Sequence, residues 1–221
     1  MADSTISFHF DGLTTASPRD EEYALAKRLC AGEESAYETL IHRFEQPVYS
    51  LVCRLLAQPA DASDVVQEVF LKVFRNIGAF RGESSLKTWV YRIAVNEANN
   101  HRRWISRHCR QEVALDGEPG ENYGCQDWLP DPGRSPFEVT LDHERQALIE
   151  EGLALMNANF RAALVLREIE GLSYEEISDI LQISLGTVKS RILRGRDALR
   201  KHLAGRLEPS SRLDWSPQLA D

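Results

Sequence analysis

Apolar residues recur at steps of three and four along most of this chain, the spacing of one face of an α-helix, and no segment alternates with the two-residue period of a strand. Residues 1–17 lack any period and read as a disordered extension. Ser17-Pro18 then marks a helix start, with proline at the first helical position and Asp20, Glu21 and Glu22 in a first turn that favours carboxylates. This helix should stop near Ala31-Gly32. From about Glu33, Ala36, Leu40, Ile41, Phe44, Val48, Leu51, Val52 and Leu55 predict a long helix, with Pro47 expected to kink or break it. Asp61 is placed to cap a third helix, whose apolar stripe is Val65, Val66, Val69, Phe70, Val73 and Phe74. A loop at Gly78–Gly82 leads to a fourth helix from about Ser84 to Trp104. Together these predict a four-helix first domain over 18–108.

From Cys109 the period fails. DGEPGENYGCQDWLPDPGRSP is rich in glycine, proline and acid, and 109–140 reads as a flexible acidic linker. Helical spacing returns at about Leu141 and defines a second domain over 141–204; the tail 205–221 reads as disordered. Within the second domain, Ser173 followed by Glu176 is a capping box. Ile177, Ile180 and Leu181 give that helix a buried face, and Gln182–Leu185 supply a turn. A second helix, GTVKSRILRGRDALRKHL, turns Val188, Ile192 and Leu199 inward and leaves Lys189, Ser190, Arg191, Arg194 and Arg196 along the other side. Two short helices, a tight turn and a basic second helix form the helix-turn-helix that reads duplex DNA in the major groove. A solvated basic face on a helical bundle would account for the charge alone, but not for the cap, the turn length and the one-sided charge together. Glu176 reads as a cap, and Arg200 and Lys201 complement a helix C-terminus.

A formal net charge of −8 argues against nucleic acid until its distribution is considered. Between Arg81 and Arg110 seven basic residues meet only Glu83 and Glu97; between Gly186 and Arg206 seven meet only Asp197. The acid is concentrated near the N-terminus and between Glu112 and Glu144, where nine carboxylates meet only Arg134. Two basic surfaces are thus separated by an acidic connector. No apolar run is long enough to span a bilayer, and the acidic start MADSTISFHFDG does not resemble a secretory signal. Cys30, Cys53, Cys109 and Cys125 form no CxxC pair and suit a reducing cytoplasm. His108-Cys109 lacks a second ligand pair, so no metal site is expected. With no glycine-rich phosphate loop and no nucleophile–base pair, the expectation is a protein with no catalytic residues and no cofactor.

The first domain carries chemistry of its own. DASDVVQEVFLKVFRNI pairs its apolar stripe with a face bearing Asp64, Gln67, Glu68 and Lys72, where Glu68 and Lys72 stand at ion-pair spacing. FRGESSLKTWVYRIAVNEANNHRRW then interleaves Phe80, Trp89, Tyr91 and Trp104 with arginine and asparagine, a mixture suited to unstacked bases, although Trp89 fits a core equally well. These segments, with LREIEGLSYEEISDILQISLGTVKSRILRGRDAL, resemble the bacterial sigma factors of the extracytoplasmic-function group, over about Ala24–Trp104 and Arg145–Leu203.

The resemblance implies an all-α protein of two helical domains, sigma regions 2 and 4, that directs core RNA polymerase to promoters. Asp64, Gln67 and Glu68 would dock on the clamp coiled coil of the polymerase's largest subunit. Lys72, Asn76, Phe80, Trp89 and Asn96 would hold the melted −10 element, one base flipped into a pocket. Tyr174, Glu175, Lys189, Ser190, Arg191 and Arg194 would read the −35 duplex, and the second domain would also touch the flap of the second subunit. Relatives are commonly held inactive by an anti-sigma protein, which implies such a partner here. The chain departs from the family in Leu155-Met156-Asn157, where Leu-Pro is common, and in Lys189, where some relatives carry arginine. A dimeric repressor would need a dimerisation seam, and none is evident.

Overall fold

The computed structural model describes residues 18–56, 59–108 and 136–206, with side chains over 21–56, 60–108 and 144–206. Every regular element among them is helical. In chain order these are α1 (Pro18–Cys30), α2 (Glu34–Leu55), α3 (Ala62–Asn76), α4 (Leu86–His108), α5 (Pro136–Leu155), α6 (Ala158–Glu168), α7 (Tyr174–Leu181) and α8 (Leu185–Leu203). Short 3₁₀ turns, Pro59–Asp61 and Ile77–Ala79, lie on either side of α3. The extension 1–17, most of the linker and the tail after Arg206 fall outside the described residues.

Helices α1–α4 pack around Leu40, Phe44, Val48, Leu51, Val69, Val73, Leu86 and Val90, the apolar faces that the spacing predicts. Three local expectations are corrected. First, α2 runs unbroken from Glu34 to Leu55 through Pro47. An internal proline costs about 3 kcal/mol, whereas each large side chain buried by a continuous helix returns roughly 1.5–3 kcal/mol. Phe44, Val48, Leu51, Val52 and Leu55 are all buried on this helix, so burial wins. Second, Asp61 occupies the N-cap position of α3 but makes no capping bond. Its carboxylate lies 3.0 Å from His101 Nε2 and ties the start of α3 to α4 instead. Third, α4 starts at Leu86 and continues a turn past Trp104. Its first turn is held by Ser85 Oγ, which accepts from Thr88 N at 3.0 Å, and by Glu22 of α1, which accepts from Leu86 N at 2.9 Å.

In the second half α8 is the central helix, lying against α5, α6 and α7. Two glycines permit its close approach. A Cβ at Gly195 would lie 3.3 Å from both Phe160 O and Leu164 Cβ, and one at Gly152 of α5 would lie 2.7 Å from Leu199 Cδ1. Helix α5 begins at Pro136, five residues before the return of periodicity at Leu141.

The two halves do not stand apart. Helix α7 packs on α4, and α5 and α6 pack on α2. Arg161 of α6 is buried at this junction and donates to Leu55 O (3.3 Å) and Leu56 O (2.9 Å), the C-terminal carbonyl end of α2. It also donates to Ala154 O and Met156 O of its own half. Burial, and then the neighbouring charge of Arg102, lower its pKa from the ordinary arginine value. Tyr91 of α4, 1% exposed, donates to Glu170 Oε2 at 2.7 Å.

Candidate nucleic-acid and protein interfaces

The helix-turn-helix is built by its caps. Ser173 Oγ accepts from Glu176 N while the Glu176 carboxylate accepts from Ser173 N, closing the capping box read from the sequence. Gln182 ends α7 in the left-handed region (φ 53°), and Ser178 Oγ donates to Ile183 O across the turn. Ser184 caps α8, so Leu185 is the first residue of the second helix and not the last of the turn. Val188, Ile192, Gly195 and Leu199 face inward.

Lys189, Ser190 and Arg194 are exposed along α8, with Arg191 half-buried beside them. Arg196 is drawn back, its guanidinium paired to Glu168 at 2.5 Å. The Tyr174 ring lies beneath the Arg167 guanidinium (4.8 Å) and the Lys189 ammonium (5.8 Å), so it supports the basic face as much as it presents itself. Glu175 is exposed next to it.

On α3, Asp64, Gln67 and Glu68 are all exposed, while Val65, Val66 and Val69 between them are buried. One turn further on the same face, Leu71 is 42% exposed. The sequence reading assigned it neither to the apolar stripe of this helix nor to the polar face. Lys72 does not pair with Glu68; it reaches across to Glu97 of α4 at 2.5 Å.

The five residues expected at a flipped base fall into two groups. Asn76 donates to Lys72 O, and Lys72 bridges to Glu97, the sequence neighbour of the exposed Asn96. Phe80 and Trp89 form an edge-to-face pair with centroids 5.6 Å apart. The pocket beside Phe80, about 190 Å³, is lined by Glu22, Tyr23, Gly82, Ser84, Ser85 and Leu86, and does not include Lys72, Asn76 or Asn96. Tyr23 and Glu22 belong to α1, to which sequence reading gave no role.

Two exposed surfaces that match neither a catalytic centre nor a metal site, one acidic with an apolar residue and one basic on a helix-turn-helix, suit a protein that holds another protein and DNA. Comparison with known proteins gives the rest. Residues 40–108 match the family described as Sigma-70 region 2, and residues 146–199 match Sigma-70, region 4. The RNA polymerase sigma-H factor of Pseudomonas aeruginosa is 36% identical over 84% of this chain and 95% of its own length. The chain belongs to the extracytoplasmic-function sigma factors. The sigma-E factor of Haemophilus influenzae is 37% identical, covering 82% of this chain and 95% of the relative. The fold is that of RpoE from Bartonella quintana in complex with the anti-sigma factor NepR (TM-score 0.61, 22% identity, 77% of this chain and 98% of that one). It is likewise that of CnrH bound to the cytosolic domain of CnrY (TM-score 0.58, 22% identity, 84% and 98%).

As a sigma factor of this group the protein is a transcription initiation factor, not an enzyme, and gives core RNA polymerase its promoter specificity. The exposed face of α3 and the Phe80–Trp89 pair lie within the region 2 match, and the helix-turn-helix lies within the region 4 match. Helix α1, with Glu22 and Tyr23, precedes both. Among the described residues no helix is long and apolar enough to cross a membrane.

Proposed function

We propose that this sigma factor divides its work by surface. Asp64, Gln67 and Glu68 dock on the polymerase clamp coiled coil, Lys72, Asn76, Phe80, Trp89 and Asn96 hold the melted −10 strand, and Tyr174, Glu175, Lys189, Ser190, Arg191 and Arg194 read the −35 duplex. The observation that carries this reading is the exposure of three polar residues at i, i+3 and i+4 on α3 above buried valines, a face with no partner element of its own. The domain division follows the same lines, with 18–108 for polymerase and −10 binding, 109–140 as linker and 141–204 for −35 binding and flap contact. Lys189 and Arg194 can contact phosphate and base edges, Arg194 bidentately to guanine.

The structural neighbour RpoE is in complex with an anti-sigma factor, and we extend such control to this chain. The place of action is the cytoplasm, where core polymerase and DNA are found. Transcription in vitro with core polymerase and a promoter library tests the whole. Core-dependent, sequence-selective initiation is expected, and its absence with core polymerase proven active on another sigma factor would overturn the reading.

A further inference from the structure

Glu97 is the unexplained charge on the surface assigned to the melted −10 strand. Between Arg81 and Arg110 it is one of only two carboxylates among seven basic residues, and a polyanion repels a carboxylate in its path. The other, Glu83, is exposed in the loop before α4. Glu97 is instead fixed in place. Its side chain is 13% exposed, Oε2 lies 2.5 Å from Lys72 Nζ of α3, and Oε1 accepts from Asn100 Nδ2 at 3.3 Å. On α4, Trp89, Ile93, Asn96 and Asn100 follow steps of four, three and four and share one face. Glu97 stands four residues after Ile93 and three before Asn100, at the edge of that face, and the ammonium it holds lies with it. An ion pair this close to solvent contributes little to stability. Helices α3 and α4 pack together in any case, with Val69, Val73, Val90 and Ala94 in the core.

We infer that Glu97 is a specificity-determining residue of the −10 reader: it neutralises Lys72, so that this side chain meets bases and not phosphates. The inference rests on assigning this surface to the melted strand, and deepens that assignment by saying what Lys72 contacts. A free ammonium drawn to a phosphate displaces a counterion from the strand whatever its sequence. An ammonium already balanced by a carboxylate at 2.5 Å brings almost no net charge and displaces none. It keeps N–H donors to spare, because an ammonium carries more than the one that Glu97 takes. Such donors, held half-exposed by the sequence neighbour of Asn96, match the ring nitrogens and carbonyl oxygens of an unstacked base.

Phosphates are the same in every sequence, so a freed Lys72 would leave the bases for a contact that all strands offer alike. Affinity would then rise and preference fall. One more neutralised phosphate steepens the fall of log affinity with log salt by about 0.7 for a single strand. Glu68, one turn before Lys72 on α3, is the other carboxylate at ion-pair spacing, and it is exposed on the face assigned to the polymerase. Binding is therefore read in the holoenzyme, where that face is occupied.

Glu97→Gln keeps the shape of the side chain and removes its charge; Lys72→Ala removes the ammonium. Each full-length variant is assembled with core polymerase, and binding of a labelled short oligothymidylate is followed across a salt series. Preference is read by sequencing the strands retained from a pool randomised at the −10 positions. Glu97→Gln is expected to steepen the salt dependence by about 0.7, to tighten oligothymidylate binding several-fold and to flatten the retained preference, with an unchanged melting temperature. Lys72→Ala should flatten the preference as well, yet leave the salt slope where it was, and the double variant should share that slope. An unchanged slope in Glu97→Gln would overturn the inference. So would a shallower slope in Lys72→Ala alone, which would put Lys72 on a phosphate, and a steeper slope in Glu97→Gln with its preference intact. The slopes need no sequence preference, so a wild-type holoenzyme that retains all strands alike counts against the −10 assignment and leaves the slopes to decide on Glu97.

Discussion

Glu68 stands in solvent on α3, with no ion pair to Lys72, which is committed to Glu97. Reversing its charge disturbs nothing inside the protein, so Glu68→Lys is expected to abolish core-polymerase binding while leaving the melting temperature and the DNA affinity of the isolated chain unchanged. A pull-down with core polymerase checks this, and normal binding would remove the α3 face from the proposal. Arg194 is equally exposed, its guanidinium 5.8 Å from the Phe160 ring, which sets its direction without neutralising it. Arg194→Ala should weaken selective −35 binding by roughly 1–3 kcal/mol, the value of a lost base contact, as measured by competition against mutated −35 sequences. Such exposed polar residues were legible because their neighbours at helical spacing are apolar. Leu71 was not, since it lies off the apolar stripe and carries no polar group to mark an exposed face.

At the scale of the element, caps and crossings decide more than propensity. The Ser173–Glu176 box could be read because both partners lie within one turn. Ser173→Ala should cost about 1 kcal/mol by losing one of its two bonds. The close crossing of α6 and α8 at Gly195 could not be read, because what a Cβ would strike, Phe160 O and Leu164, belongs to another helix. A glycine inside GTVKSRILRGRDALRKHL looks like a weakness in a helix, and by propensity alone Gly195→Ala would add roughly 1 kcal/mol of stability. The crossing reverses that sign, since a neighbour that includes backbone must shift to admit a methyl group. Thermal unfolding of Gly195→Ala should therefore show a lower melting temperature, and a higher one would mean that α6 can move aside freely. The same limit explains Pro47 and Asp61. Each was judged by its local helix rule, whereas buried Phe44 and Val48 carried α2 through the proline and distant His101 took the carboxylate.

At the scale of the whole molecule, two helical halves and an acidic connector were legible from periodicity and charge, and their mutual packing was not. Tyr91 and Glu170 are 79 residues apart, Arg161 and Leu56 are 105, and no pattern along a chain links such positions. The phenol of Tyr91 nonetheless gives this packing a titratable mark. Burial, then the hydrogen bond to Glu170 and its negative charge, push the Tyr91 pKa far above the ordinary tyrosine value of about 10. A group held protonated in the closed chain contributes fully below its unperturbed pKa. As pH rises past about 10 the separated state gains stability by losing the proton while the closed state does not. The closed arrangement should therefore weaken above about pH 10, with the phenolate of Tyr91 forming only as the halves part. Scattering followed across this range should show expansion of the wild-type chain together with a late rise in phenolate absorbance. The Tyr91→Phe chain, which has no phenol to ionise at this junction, should show neither step in this range. If the two chains expand at the same pH, the junction is governed by Lys87 and the other bases around it rather than by the Tyr91 hydroxyl.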